Sequence, residues 1–164
     1  MGGRVVEHPG TWSENWAWGL PIIVLTVLAH GFGLVLIHDR VDRLAGRLRA
    51  RRSIAVFGAV IAATVLLLTV LHGAEAAAWA AAYVALGALD DPRSAMLFSL
   101  NAMTTYGHDN LGLEAHWRLM GALEALNGMI LFGLSTAFLF SVLQGAWPSH
   151  ARDERMRAGG AGRL

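Results

Sequence analysis

The stretch Asp91-Pro92-Arg93-Ser94-Ala95-Met96-Leu97-Phe98-Ser99-Leu100-Asn101-Ala102-Met103-Thr104-Thr105-Tyr106-Gly107 decides how this chain is read. Asp91-Pro92 is a helix start: a carboxylate cap, then proline at the first helical position, where its missing N–H has no partner to lose. The apolar run 95–100 carries a helix to the neighbourhood of Met103, and Thr104-Thr105-Tyr106-Gly107 reads as a turn. A helix over 91–103 is too short to cross a bilayer, which takes about 20 residues.

Its flanks are long enough. The chain is 55% hydrophobic and 15% charged, with a mean hydropathy of +0.47, a balance that points to the membrane class. Residues 19–37 carry no charge, 54–89 only Glu75, and 119–146 only Glu124. Each reads as a membrane span, the first as a retained anchor, because what precedes it is acidic and Trp-rich rather than basic. A single helix over 54–89 is about 54 Å long at 1.5 Å per residue, longer than a bilayer, so it either projects from the membrane or kinks near Gly73. A short helix and turn between two spans form a re-entrant segment. Irregular backbone at membrane depth persists only inside protein or beside a watery cavity, so a pore or cavity is implied.

All 13 cationic residues are arginine. Arg40, Arg43, Arg47, Arg49, Arg51 and Arg52 lie between the first two spans, and Arg152, Arg155, Arg157 and Arg163 follow the third. Outside these groups stand only Arg4, Arg93 and Arg118. The positive-inside rule puts the 39–53 link and the 147–164 tail in the cytoplasm and the N-terminal segment 1–18 outside. Trp12, Trp16 and Trp18 then fall at the outer interface and Trp147 at the inner one. Topology accounts for the basic link, so nucleic acid is not an expected partner. The absence of cysteine excludes disulfides and thiolate metal sites. No nucleophile–base set and no phosphate-binding loop is present, so an enzyme is not expected.

Taken together, Phe98-Ser99-Leu100, Met103-Thr104-Thr105, the Trp117-Arg118-Leu119-Met120-Gly121-Ala122-Leu123-Glu124-Ala125-Leu126-Asn127-Gly128 run and Phe132-Gly133-Leu134-Ser135-Thr136-Ala137 resemble the two-transmembrane pore module of potassium-channel-type bacterial ion channels. The resemblance covers roughly 54–144. It implies an all-α membrane protein: three transmembrane helices with a re-entrant pore helix and filter loop, assembled as a potassium-channel-like homotetramer in the lipid bilayer of the bacterial inner membrane. Residues 19–38 are the first transmembrane helix. The pore module occupies 54–146, with outer helix 54–89, pore helix 91–103, filter 104–110 and inner helix 117–146. The implied function is a passive cation channel for potassium or weakly selected monovalent cations, with no resident cofactor and no metal site.

The implied selectivity filter is Thr104, Thr105, Tyr106, Gly107, His108 and Asp109. Thr105 and Gly107 keep the family pattern, whereas Tyr106, His108, Asp109 and Asn110 replace a small β-branched residue, tyrosine, glycine and aspartate. Such filters turn successive backbone carbonyls toward the axis to replace an ion's hydration shell, and left-handed positions make this possible. Asp109 tolerates that geometry and would place four carboxylates at the outer mouth. His108 either faces the axis, giving a pore sensitive to metal or pH, or braces the pore helix as the family tyrosine does. Asp90 and Asp91 flank the mouth and would concentrate cations.

Glu124 and Asn127 share a helix face. Glu124 either adds an acidic ring or braces the filter through the pore helix. Gly128 is a gating hinge by the resemblance, or a site of tight helix packing. His72 and Glu75 form either a metal half-site or a structural hydrogen bond near the outer surface. His30 reads as a helix–helix contact. The alternatives to a conducting channel are a haem- or metal-binding membrane protein using His30, His72, His108 and His116, and a non-conducting pseudo-channel.

Overall fold

Each long apolar stretch becomes one continuous helix. The computed structural model describes residues 9–48, 54–107 and 112–146, and among these it is all-helical, with no strand. Helix α1 spans Pro9–Leu48, α2 spans Ile54–Ala85, α3 spans Pro92–Met103 and α4 spans Arg118–Ala146, the last preceded by a single 3₁₀ turn, Ala115–Trp117. Three stretches, Trp12–Arg43, Ala55–Ala85 and Ala115–Gln144, are long and apolar enough to cross a membrane. By length and composition the chain is a multi-pass membrane protein.

Two helices end elsewhere than the sequence reading places them. The first helix extends beyond 19–38 in both directions, because neither flank supplies a breaker. Pro21 sits inside α1 without ending it, and Arg43 Nε donates back to the Asp39 carbonyl at 2.9 Å. The second helix runs straight through Gly73 and stops at Ala85, short of residue 89. Gly87 stops it by adopting a φ of 66°, a left-handed value that glycine takes without strain. The N–H groups of Ala88 and Leu89 then turn back to the Tyr83 carbonyl at 2.9 and 3.4 Å, satisfying a carbonyl the helix has left open.

Contacts fix the arrangement. The α1 pairs with α4 follow rising numbers in both helices: Asn15 with Met120, Thr26 with Asn127 and His30 with Ser135. These two helices are therefore parallel. Gly33 of α1 faces Leu71 of α2, and His30 faces Glu75, so α2 runs the opposite way. The end of α1, the start of α2 and the end of α4 consequently lie at one end of the bundle, and α3 lies at the other. Trp79, Tyr83, Phe98, Met120 and Leu123 are buried where α2, α3 and α4 meet.

Helix α3 starts as its cap chemistry requires. Asp91 Oδ2 accepts from the Ser94 N–H at 2.9 Å and the Ser94 hydroxyl at 2.8 Å, with Pro92 at the first position. The Ser94 hydroxyl and backbone bonds hold the Asp91 carboxyl below its ordinary range. A depressed carboxylate contributes stability above its unfolded pKa and loses it as pH falls through the folded value. Asp91→Ala is expected to fray the first turn, read as faster amide exchange at Ser94 and Ala95. Acidifying the wild type through the Asp91 titration should reproduce that change, while Asp91→Ser retains the cap.

Candidate functional site

Helix α3 descends between α2 and α4 and stops well short of their far ends. The Ser99 hydroxyl donates to the Ala76 carbonyl at 2.7 Å, and the backbone of Met103 lies against Gly128. At 1.5 Å per residue these contacts lie about 14 Å down α2 from Ala85 and about 15 Å down α4 from Arg118. There the helix ends. The Thr104 N–H bonds the Leu100 carbonyl at 3.1 Å, and the Tyr106 N–H reaches the Asn101 carbonyl at 3.0 Å.

The backbone then alternates in handedness. Thr104 has a φ of −87°, while Thr105 and Gly107 have φ values of 55° and 92°. A β-branched residue at positive φ is a strained outlier, and such strain concentrates at functional positions. Left-handed residues at 105 and 107 are the backbone condition for turning successive carbonyls to one side. Tyr106 does not pack behind the loop; it is 84% exposed. A cleft of about 370 Å³, lined by Phe98, Ala102, Thr105, Leu113 and Gly121 among others, opens beside it. His108, Asp109 and Asn110 lie outside the described residues.

Beneath the loop is a buried polar set. Glu124 of α4 accepts from the Tyr83 hydroxyl of α2 at 2.7 Å, and its Oε1 lies against the Ser99 hydroxyl of α3, which shares its one proton between this oxygen and the Ala76 carbonyl. One carboxylate thus ties three helices, with Glu124, Tyr83 and Ser99 all fully buried. Asn127 Nδ2 donates to Thr26 Oγ1 of α1 at 2.8 Å, and Thr26 donates in turn to the Ile22 and Ile23 carbonyls at 2.8 and 3.0 Å. One turn from Glu124, a Cβ added at Gly128 would lie 2.3 Å from the Met103 carbonyl oxygen. Gly128 is where the end of α3 touches the backbone of α4.

A second polar set lies deeper. His30 Nδ1 is 2.8 Å from Glu75 Oε1, and His30 Nε2 is 3.0 Å from the Ser135 hydroxyl. The expected bond between His72 and Glu75 is not made. Their nearest atoms are 3.9 Å apart, beyond hydrogen-bond range, because Glu75 turns to α1. Nor is the pair superficial: Glu75 is 3% exposed. His116 joins neither, lying instead 2.8 Å from Glu14 where α1 and α4 begin. There Asn15 Oδ1 accepts from the Met120 N–H at 3.0 Å and its amide donates to the His116 carbonyl at 2.7 Å. That contact satisfies one of the open donors at the start of α4.

Comparison with protein-family models, with curated proteins and with solved structures finds no match for this chain. Sequence reasoning singled out Glu124 and Asn127 but not their partners Tyr83 and Thr26, nor Asn15 and Ser135. Tyr83 and Ser135 each carry one hydroxyl in an apolar span, and that was the available signal, since a buried hydroxyl needs a partner.

Proposed function

We propose that four copies of this chain surround an axis as a passive cation channel of the potassium-channel type, for potassium or weakly selected monovalent cations. The observation that carries this reading is α3, a 12-residue helix wedged between two spans. Its chain turns back at depth through alternating left-handed backbone at Thr105 and Gly107. Irregular backbone in that position needs protein or water around it, and one loop per chain supplies both only when several loops share an axis. On this reading α3 is the pore helix and residues 104–109 form the filter. Glu124 braces the filter through Ser99, with Asn127 supporting the same face of α4.

The α4 residues Ala122, Met129, Gly133, Ala137 and Phe140 recur along one stripe and are left exposed by their own chain. That stripe is available to neighbouring copies and to the water path. The arginine distribution orients the assembly, with the α3 end outside and the basic link and tail in the cytoplasm of a bacterial inner membrane.

Bi-ionic reversal potentials in liposomes test the reading, with wild type compared against the double variant His108→Tyr/Asp109→Gly. Wild-type cation current, with sharper potassium preference in the variant, is expected. A wild type that passes no ion, beside a variant that conducts, would establish a non-conducting pseudo-channel instead. A particle mass in detergent other than that of a tetramer would overturn the shared-axis arrangement.

A further inference from the structure

A buried imidazole, a partly buried one and a buried carboxylate converge from two helices midway along the bundle, and half of their six ring nitrogens and carboxylate oxygens make no hydrogen bond of good geometry. His30 is fully buried, Glu75 is 3% exposed and the His72 side chain is 15% exposed. Neither ring nitrogen of His72 makes a hydrogen bond of good geometry, although one approaches the Leu68 backbone a turn back, and Glu75 Oε2 makes none. A buried polar atom left unpaired forfeits the hydrogen bond that water gives it in the unfolded chain. His72 Nδ1 and Glu75 Oε2 lie 3.9 Å apart, within reach of a common occupant. One ligand atom from each of His30, His72 and Glu75 falls within 4.8 Å of the other two.

We infer that His30, His72 and Glu75 form a binding site for a divalent first-row transition-metal ion, with zinc as the best-fitting probe. Two imidazoles and one carboxylate are a donor set that zinc takes in tetrahedral geometry, with the fourth position open. Ligand atoms at bond lengths of about 2.0–2.2 Å around such an ion are separated by roughly 3.3–3.5 Å. His30 Nδ1 and Glu75 Oε1, at 2.8 Å, must part slightly, and His72, whose Nδ1 lies 3.9 Å from the other carboxylate oxygen, Oε2, must close on them. Small side-chain rotations accomplish both. The ion takes the place of the proton that His30 Nδ1 and Glu75 Oε1 share.

The surroundings suit a metal. The Ser135 hydroxyl on His30 Nε2 at 3.0 Å fixes that ring and leaves Nδ1 for the ion, the arrangement that orients metal-bound histidines. His72 is held by its ring contacts, with centroids 4.7 Å from Phe132 and 5.1 Å from His30. Water in the open position ionises readily on zinc. A bound hydroxide and the Glu75 carboxylate would together neutralise the dication, as burial in an apolar span requires. The site is complete within one protomer and does not rest on the pore reading.

Zinc chloride titrated into chelator-treated, full-length protein in detergent tests this by calorimetry, with cobalt substitution to report geometry. One tight equivalent per chain is expected, with the intense visible absorption of four-coordinate cobalt. His72→Phe keeps a ring against Phe132 and His30 but removes both ligand nitrogens. It should lower zinc affinity about 100-fold or more, beyond the 10–100-fold effect of losing an outer partner. Glu75→Gln should do likewise, and zinc should raise the melting temperature of the wild type but of neither variant. Equal zinc affinity in wild type and both variants, or a six-coordinate cobalt spectrum in wild type, would overturn the site.

Discussion

Gly128→Ala is expected to dislodge the end of α3 and to destabilise the bundle by about 3 kcal/mol or more, at the upper end of what overpacking produces. The added Cβ would lie 2.3 Å from the Met103 carbonyl oxygen, 2.7 Å from its Cα and 2.8 Å from its carbonyl carbon. All three are backbone atoms, so no rotamer change relieves the clash and α3 itself has to move. Gly133 provides the contrast, because a Cβ there meets nothing within 4 Å. Gly133→Ala should therefore stabilise α4 by about 0.5–1 kcal/mol through reduced backbone freedom. Thermal unfolding in detergent reads both. If Gly128 acted as a hinge alone, Gly128→Ala would melt at or above the wild-type temperature.

Glu124→Ala should cost about 3–5 kcal/mol, combining an orphaned buried hydroxyl with a buried cavity. Tyr83 loses its acceptor, while Ser99 keeps the Ala76 carbonyl. Glu124→Gln behaves differently. The Ser99 hydroxyl has one proton and two neighbouring acceptors, the Ala76 carbonyl and Glu124 Oε1. A glutamine amide donates to the Ser99 oxygen and still accepts from Tyr83, so Glu124→Gln should remain within about 1 kcal/mol of wild type. Tyr83→Phe combined with Glu124→Ala closes a double-mutant cycle, with an expected coupling of about 1–3 kcal/mol. A coupling near zero by thermal unfolding would mean that the two side chains do not bond in the membrane.

These effects separate what a sequence displays from what it conceals. Helix α3 was legible almost to the residue, because its start is local chemistry: Asp91, Pro92 and Ser94 act within one turn. The three spans were legible because apolar length is a property of the segment alone. The ends of α1 and α2 were not. Continuing through 38–48 and stopping at Ala85 depend on whether a breaker such as Gly87 takes a left-handed turn.

The buried polar sets were half legible. Spacing three apart marked His72 with Glu75 and Glu124 with Asn127. Their partners lie 45 residues away for Glu75, 41 and 25 for Glu124, and 101 for Asn127, and no periodicity registers a match at that range. Thr105 is the reverse case. Its positive φ falls on a residue type that disfavours it, so composition argues against a feature that the surrounding fold imposes.

The parallel pairing of α1 with α4 bears on how the protein is made. Its bonds join residues 101 and 105 positions apart, through Thr26 with Asn127, Asn15 with the Met120 N–H, and His30 with Ser135. Translation delivers α1 first and α4 last. The first helix therefore waits through the synthesis of the other two with these partners still to come, and the final helix acts as the bolt that closes the assembly. A unit of α2, α3 and α4 cut from residue 54 onward would leave the Met120 N–H and Asn127 without the α1 groups that answer them. The portion from α2 to α4 is not a detachable cassette; the oldest part of the protein, in order of synthesis, completes its youngest.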